Sequence, residues 1–253
     1  GQIDLDYRLA ETPSSRFHLT FGGAYQAYFF TPSAAARVPD MRASEFNRGS
    51  AQIGLKQEWL PDGSETPFTL HGTLGRRWFG GEVYTTSRGL TLSRPFRLDP
   101  ATTLTLLADA DWTSYASAGD TTRTTALQSS LSRTLENGIG LGVTAARLNT
   151  ASETATRAYT GGRIGLSLTL PDLLADADLG LSLTHERRSY EASITPDARR
   201  DRTTGISANI ELPNLELYGF KPVLNVQASR TDSTVNRYTS RTLSTGLTFR
   251  SSF

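Results

Sequence analysis

The sequence predicts an all-β chain, an antiparallel transmembrane β-barrel of about 14 strands of the bacterial outer-membrane kind. Three observations predict it. Apolar residues recur at a period of two rather than 3.6, in about thirteen runs separated by turn residues. One face of most runs is leucine and isoleucine, as lipid permits, whereas the core of a soluble sandwich mixes side chains of varied size. The chain also closes on LSTGLTFRSSF. There Leu243, Leu247, Phe249 and Phe253 share one face, and Thr242, Ser244, Gly246, Thr248, Arg250 and Ser252 the other.

The runs follow in order. A strand at 3–9 comes first. Phe17, Leu19 and Phe21 then alternate with His18, Thr20 and Gly22, and Ile53, Leu55 and Trp59 with Gly54, Lys56 and Glu58. Phe68, Leu70, Leu74 and Trp78 alternate with Thr69, His71, Thr73 and Arg77. The run at 82–97 is weaker, and without it the count falls to about twelve. Leu104, Leu106, Ala108, Ala110 and Trp112 oppose Thr105, Asp109, Asp111 and Thr113. Ile139, Leu141, Val143 and Ala145 oppose Gly138, Gly140, Gly142 and Thr144; Ile164, Leu166, Leu168 and Leu170 oppose Arg163, Gly165, Ser167 and Thr169. Leu179, Leu181 and Leu183 oppose Gly180, Ser182 and Thr184, and Ile206, Ala208, Ile210 and Leu212 oppose Gly205, Ser207, Asn209 and Glu211.

Outer-membrane barrels keep short turns on the periplasmic side and longer loops outside. Counting back from a periplasmic C-terminus puts the short turns at 11–15, 60–67, 97–101, 136–138, 171–177 and 213–221, several with Pro, Asp-Gly or Asn-Gly signals. The longer polar segments at 31–49, 116–123, 149–157 and 187–202, and the short one at 230–237, then lie outside. By the same count the first strand runs inward. Because bacterial barrels take an even strand number, one further strand is expected ahead of Gly1.

Composition agrees. At 37% hydrophobic content and a mean hydropathy of -0.34, no segment approaches the roughly 20 apolar residues of a spanning helix, while a barrel strand needs only about 9–11. The absence of cysteine removes disulfides, thiolate chemistry and cysteine metal sites. A net charge of +1 argues against nucleic acid as a partner. Only Lys56 and Lys221 are lysines, so the basic residues are nearly all arginine.

Lys56, Glu58, Arg77, Asp109, Asp111 and Arg163 fall on the expected lumen face, as a selectivity field, a client track or a set of mutually paired charges. Trp59, Trp78, Trp112, Tyr28, Tyr84 and Tyr115 read as interfacial girdle residues. An enzyme would have to use His18, His71 or His185, and none has a nucleophile at a telling spacing; no metal or cofactor motif is present.

The segment 198–253 carries more specific marks. Arg200 and Asp201 enter the third-last strand, Gly219 to Pro222 precede the next, Arg230 with Asp232 and Ser233 follow it, and Tyr238 and Arg241 open the closing strand. This set resembles the C-terminal end of the surface lipoprotein assembly modifier family, whose usual Ser-Asn is Ser233-Thr234 here. The resemblance implies a periplasmic tetratricopeptide-repeat domain fused to an outer-membrane barrel. Such proteins move or display surface lipoproteins, or small secreted haem- and metal-acquisition proteins. No 34-residue helical repeat occurs in the sequence, so 1–253 reads as the barrel, with the repeat domain expected upstream.

The expected partners are outer-membrane lipid, a client protein, and the barrel-assembly machinery reading Leu247, Phe249 and Phe253. A porin and a structural anchor subunit are the competing readings. A seam between first and last strands is the expected place for any lateral opening.

Overall fold

The computed structural model describes residues 2–27, 29, 42–61, 64, 66–116, 119–174, 177–194, 198–212, 215 and 220–251. Tyr28, Gly219 and Phe253 lie outside them, as do most of the 31–49 segment and part of the 213–221 turn.

Thirteen strands form one antiparallel sheet in strict sequence order. They are β1 (Gln2–Thr12), β2 (Ser15–Gln26), β3 (Arg48–Trp59), β4 (Phe68–Phe79), β5 (Glu82–Arg97), β6 (Thr102–Tyr115) and β7 (Thr121–Thr134). After them come β8 (Gly140–Ser152), β9 (Tyr159–Leu174), β10 (Ala177–Tyr190), β11 (Arg200–Glu211), β12 (Phe220–Ser233) and β13 (Ser240–Ser251). β5, the weak run of the sequence, is a full strand of 16 residues, so the count of twelve is set aside. Its alternation is blurred because a bulge next to Arg77 shifts its pairing with β4 and because Pro95 interrupts the pattern.

The chain divides into two compact units, residues 1–93 with 109–124 and residues 94–108 with 125–253. In each, register stacks like on like. In the second, Val143, Leu166, Leu183, Ile206, Ala228 and Leu243 are successive cross-strand partners from β8 to β13. Gly142, Ser167, Ser182, Ser207, Gln227 and Ser244 form a neighbouring row on the opposite face. In the first unit, Leu5, Phe21, Ile53 and Leu74 align on one face, and Arg8, His18, Lys56, His71 and Thr91 on the other. A one-residue slip would exchange the faces, so the period of two fixes the register.

The apolar face is not packed against protein. Leu74 is 62% exposed, Leu166 54%, Ile206 56% and Leu243 74%. Among the described residues only Leu148, Ala158, Ala177, Val223 and Val235 form a buried hydrophobic set. The accessible surface is 17028 Å², against roughly 11,000 Å² for a soluble monomer of this mass.

Short connections occur at both ends of the strands. β1 and β2 are joined through Pro13 and Ser14, and β5 and β6 through residues 98–101. In that second turn the Ala101 amide donates to Asp99 Oδ1 at 2.8 Å and holds its carboxyl below the usual carboxylate range. The charged form is therefore the one the folded turn favours. Its contribution is present above the unfolded pKa, near 4, and is lost as pH falls through the lower folded value.

At the other end, where the sequence suggested long loops, β4 and β5 are joined by Gly80 and Gly81 alone, with φ of 60° and 90°. Positive φ at both central residues is what a type I′ two-residue hairpin requires. A Cβ on Gly80 would also lie 2.8 Å from the Glu45 carbonyl oxygen. The 3₁₀ turn Ala43–Phe46 sits against this hairpin, with the Gly80 amide donating to Asn47 O at 2.9 Å and Phe46 meeting Phe79 edge to face.

Candidate functional site

The ionisable side chains of the polar face gather into two networks. In the first unit Asp6 takes His18 Nδ1 at 2.7 Å and the Lys56 ammonium. Lys56 Nζ also lies 3.7 Å from Glu58, which is 4.0 Å from Arg16 Nη1. The Thr20 hydroxyl lies 2.9 Å from His71 Nε2, and the two meet over Gly54, where a Cβ would be 2.5 Å from the hydroxyl. Asp109 and Asp111 accept from Thr91 and Thr113, each at 2.6 Å, so hydroxyls rather than cations satisfy them. Arg77 is exposed near the end of β4. Of the other histidines, His185 Nδ1 is 3.0 Å from the Thr204 hydroxyl.

The second network lies at the β10–β11 end of the second unit. Glu186, only 7% exposed, faces Arg163 across β9 and β10; it takes that guanidinium through both Nε and Nη2 at 2.6 Å, and also Arg188. Arg188 lies over the Tyr159 ring at 4.9 Å, and Tyr159 packs at a tilt against Tyr190. Next to it Arg199 is held between Tyr190 and Tyr238, 3.8 Å and 3.4 Å from their ring centroids, while donating to Asp201 at 2.6 Å. Asp201 is 6% exposed and also takes the Ser233 hydroxyl.

Buried carboxylates of this kind are tolerable only when each lone pair has a partner, and planar guanidinium groups supply several at once. The network therefore fastens the ends of β9, β10 and β11 to the β12–β13 connection.

The residues singled out in the sequence separate by face. Asp201 and Tyr238 meet Arg199 while Ser233 bonds Asp201, so the partner of Asp201 is Arg199 and not the adjacent Arg200. The physical reason is the pleat, which sends Arg200 and Arg202 to the opposite face from Asp201. Arg230 is on that opposite face too, paired with Asp232 at 2.8 Å and standing opposite Arg241 in register. Pro222 is opposite Phe249, and Leu247 is exposed on the apolar face.

Thr234 accounts for the departure from Ser-Asn. Its hydroxyl accepts from the Arg200 amide at 3.0 Å and donates to the Ala198 carbonyl at 2.9 Å, a pair of bonds that an asparagine amide also offers.

Of the girdle residues, Trp59 packs on Phe68, Tyr84 on Tyr115, and Trp112 meets Arg88 and Arg123. Trp78 lines a 440 Å³ cavity with Tyr25 and Asn47. Glu186, Arg188, Tyr159 and Tyr190 were not marked by the sequence as a cluster, since only register brings them together.

The class this defines is an all-β chain built as one antiparallel meander, the strand order of an up-and-down barrel, with separate apolar and ion-paired faces. The surface lipoprotein assembly modifier family model matches residues 62–253, well over half of the chain, and the chain belongs to that family. Residues 1–61 carry β1 to β3 of the same sheet, outside the matched region. Comparison with curated proteins and with solved structures gave no match.

Thr234→Val leaves an amide and a carbonyl without their partner and is expected to lower unfolding free energy by about 1 kcal/mol, whereas Thr234→Asn stays close to the parent. Urea titration followed by tryptophan fluorescence measures both; equal midpoints for the two variants would show that the hydroxyl contributes nothing.

Proposed function

We propose that the chain is the membrane-embedded barrel of a surface lipoprotein assembly modifier, seated in the bacterial outer membrane, where it passes or displays a lipoprotein client at the cell surface. It acts as a conduit and carries out no covalent chemistry. The observation that carries this reading is the exposure of the leucine face, from Leu74 in the first unit to Leu243 in the second. Covering one such side chain with hydrocarbon stabilises it by about 1.5–3 kcal/mol relative to water, so the sheet is at its most stable where lipid covers that face. From Ile164 to Leu170 the apolar positions of β9 run about 20 Å at roughly 3.3 Å per residue, close to the height of an outer-membrane apolar band.

The polar face supports the other half of the proposal. Turned inward, it gives a lumen whose charges are mostly paired among themselves, as at Glu186 and Asp201, so that a polypeptide can pass without meeting a field of one sign. The outer-membrane lipid and the client are then the standing partners. The barrel-assembly machinery meets the chain during insertion, through the alternating, aromatic-ended closing strand that holds Leu247, Phe249 and Phe253.

Two measurements test this. Leu166→Arg and Leu183→Arg are expected to cut folding free energy into bilayers by about 2–4 kcal/mol each and to reduce the heat-modifiable, membrane-inserted form. In a water-soluble protein, arginine at such exposed sites would be neutral. In cells that make this chain, surface labelling of its lipoprotein client is expected to fall at least about tenfold when the chain is deleted and to return with the wild-type gene. Unchanged labelling at equal client abundance would remove the translocation reading.

A further inference from the structure

On the lipid-facing side of β8 to β13, arginines gather at one end. Arg147, Gly162, Arg187, Arg202 and Asp232 are successive cross-strand partners from β8 to β12. Arg230 and Arg241 face each other two positions nearer the apolar band, and Arg200 lies two positions further out on β11. Strand parity puts these residues on the same face as Leu166, Leu183 and Ile206. They are exposed, and on these rows the only acidic side chain among the described residues is Asp232, which Arg230 takes.

At the opposite end the same face shows Leu170, Leu179, Ile210, Leu224 and Leu247, with no basic residue on those cross-strand rows. The arginine row stands four residues, about 13 Å along the strand, beyond the Val143 to Leu243 row, the depth at which hydrocarbon gives way to headgroups.

We infer that this belt binds the phosphorylated headgroups of the outer leaflet. The inference rests on the outer-membrane placement proposed above, which puts the end with the 149–157 and 187–202 connections outside. Guanidinium groups donate in pairs to phosphate oxygens and keep their charge at any physiological pH, and a polar rim without anions would need no such concentration of them. Gly162 leaves a notch between Arg147 and Arg187. A Cβ there would meet only the Ala146 carbonyl oxygen, at 3.6 Å, so nothing on β9 blocks a phosphate from lying between the two guanidinium groups. A client protein passing through the lumen would not meet this face, which is why the occupant is lipid.

The test is native mass spectrometry of the full-length protein released from detergent, with lipid A carrying its phosphates or the same lipid dephosphorylated. The phosphorylated form is expected to bind at least about tenfold more tightly, and the preference to disappear in Arg147→Gln/Arg187→Gln/Arg202→Gln. Equal binding of the two lipids by wild-type protein overturns the assignment and needs no variant. Heat-modifiability on gels is read in parallel. A folded, inserted barrel without phosphate preference refutes the lipid site alone, whereas a chain that never enters the outer membrane refutes the placement and the site with it.

Discussion

An antiparallel sheet that lines up leucines on one face must bring that face against something other than water. In a soluble sandwich a second sheet or a layer of helices does so. Here the described residues provide neither, and Leu166, Ile206 and Leu243 stay exposed in a chain whose surface far exceeds that of a soluble monomer of its mass. The rest of the structure follows from that constraint. Strict sequence order keeps every strand paired with its chain neighbours, the register keeps leucine rows from slipping, and the buried carboxylates Glu186 and Asp201 lie on the other face, where arginines meet them.

The polar face shows how charge is kept without cost to the sheet. Glu186 has two arginines, Asp201 an arginine and a serine, and Asp109 and Asp111 a threonine hydroxyl each. The buried pairs sit where strands end and connections begin, so their geometry anchors connections that would otherwise be tethered only by backbone. Individually the exposed pairs, such as Arg230 with Asp232, contribute about 0–1 kcal/mol, and their position relative to the membrane says more about them than their energy.

Much of this was legible in the sequence because the period of two is a local property. Ile164 to Leu170 alternate with Arg163 to Thr169, and the structure keeps each on the face the alternation assigns. The turn after Phe79 was less visible, since only Gly80 and Gly81 separate Phe79 from Glu82 and it is positive φ at both that makes them a hairpin. The arginine–tyrosine cluster could not be read from spacing, because Tyr159, Tyr190, Arg199 and Tyr238 are joined by pairing across strands. Counting outward from residue 174, the centre of the 171–177 turn, sets Glu186 opposite Gly162 rather than its partner Arg163, so hairpin arithmetic misses the ion pair by one residue. Arg200 and Asp201 are adjacent without being an ion pair, since sequence neighbours in a strand point to opposite faces.

The central claim is that one face of this sheet meets hydrocarbon and the other water. The chain contains no cysteine, so residues 163–169 of β9 can each be replaced by a spin-labelled cysteine in the outer-membrane-reconstituted protein. The account predicts that labels at 164, 166 and 168 collide with dissolved oxygen and not with a water-soluble nickel complex, and that labels at 163, 165, 167 and 169 do the reverse. Equal access of the nickel complex to both sets would contradict it.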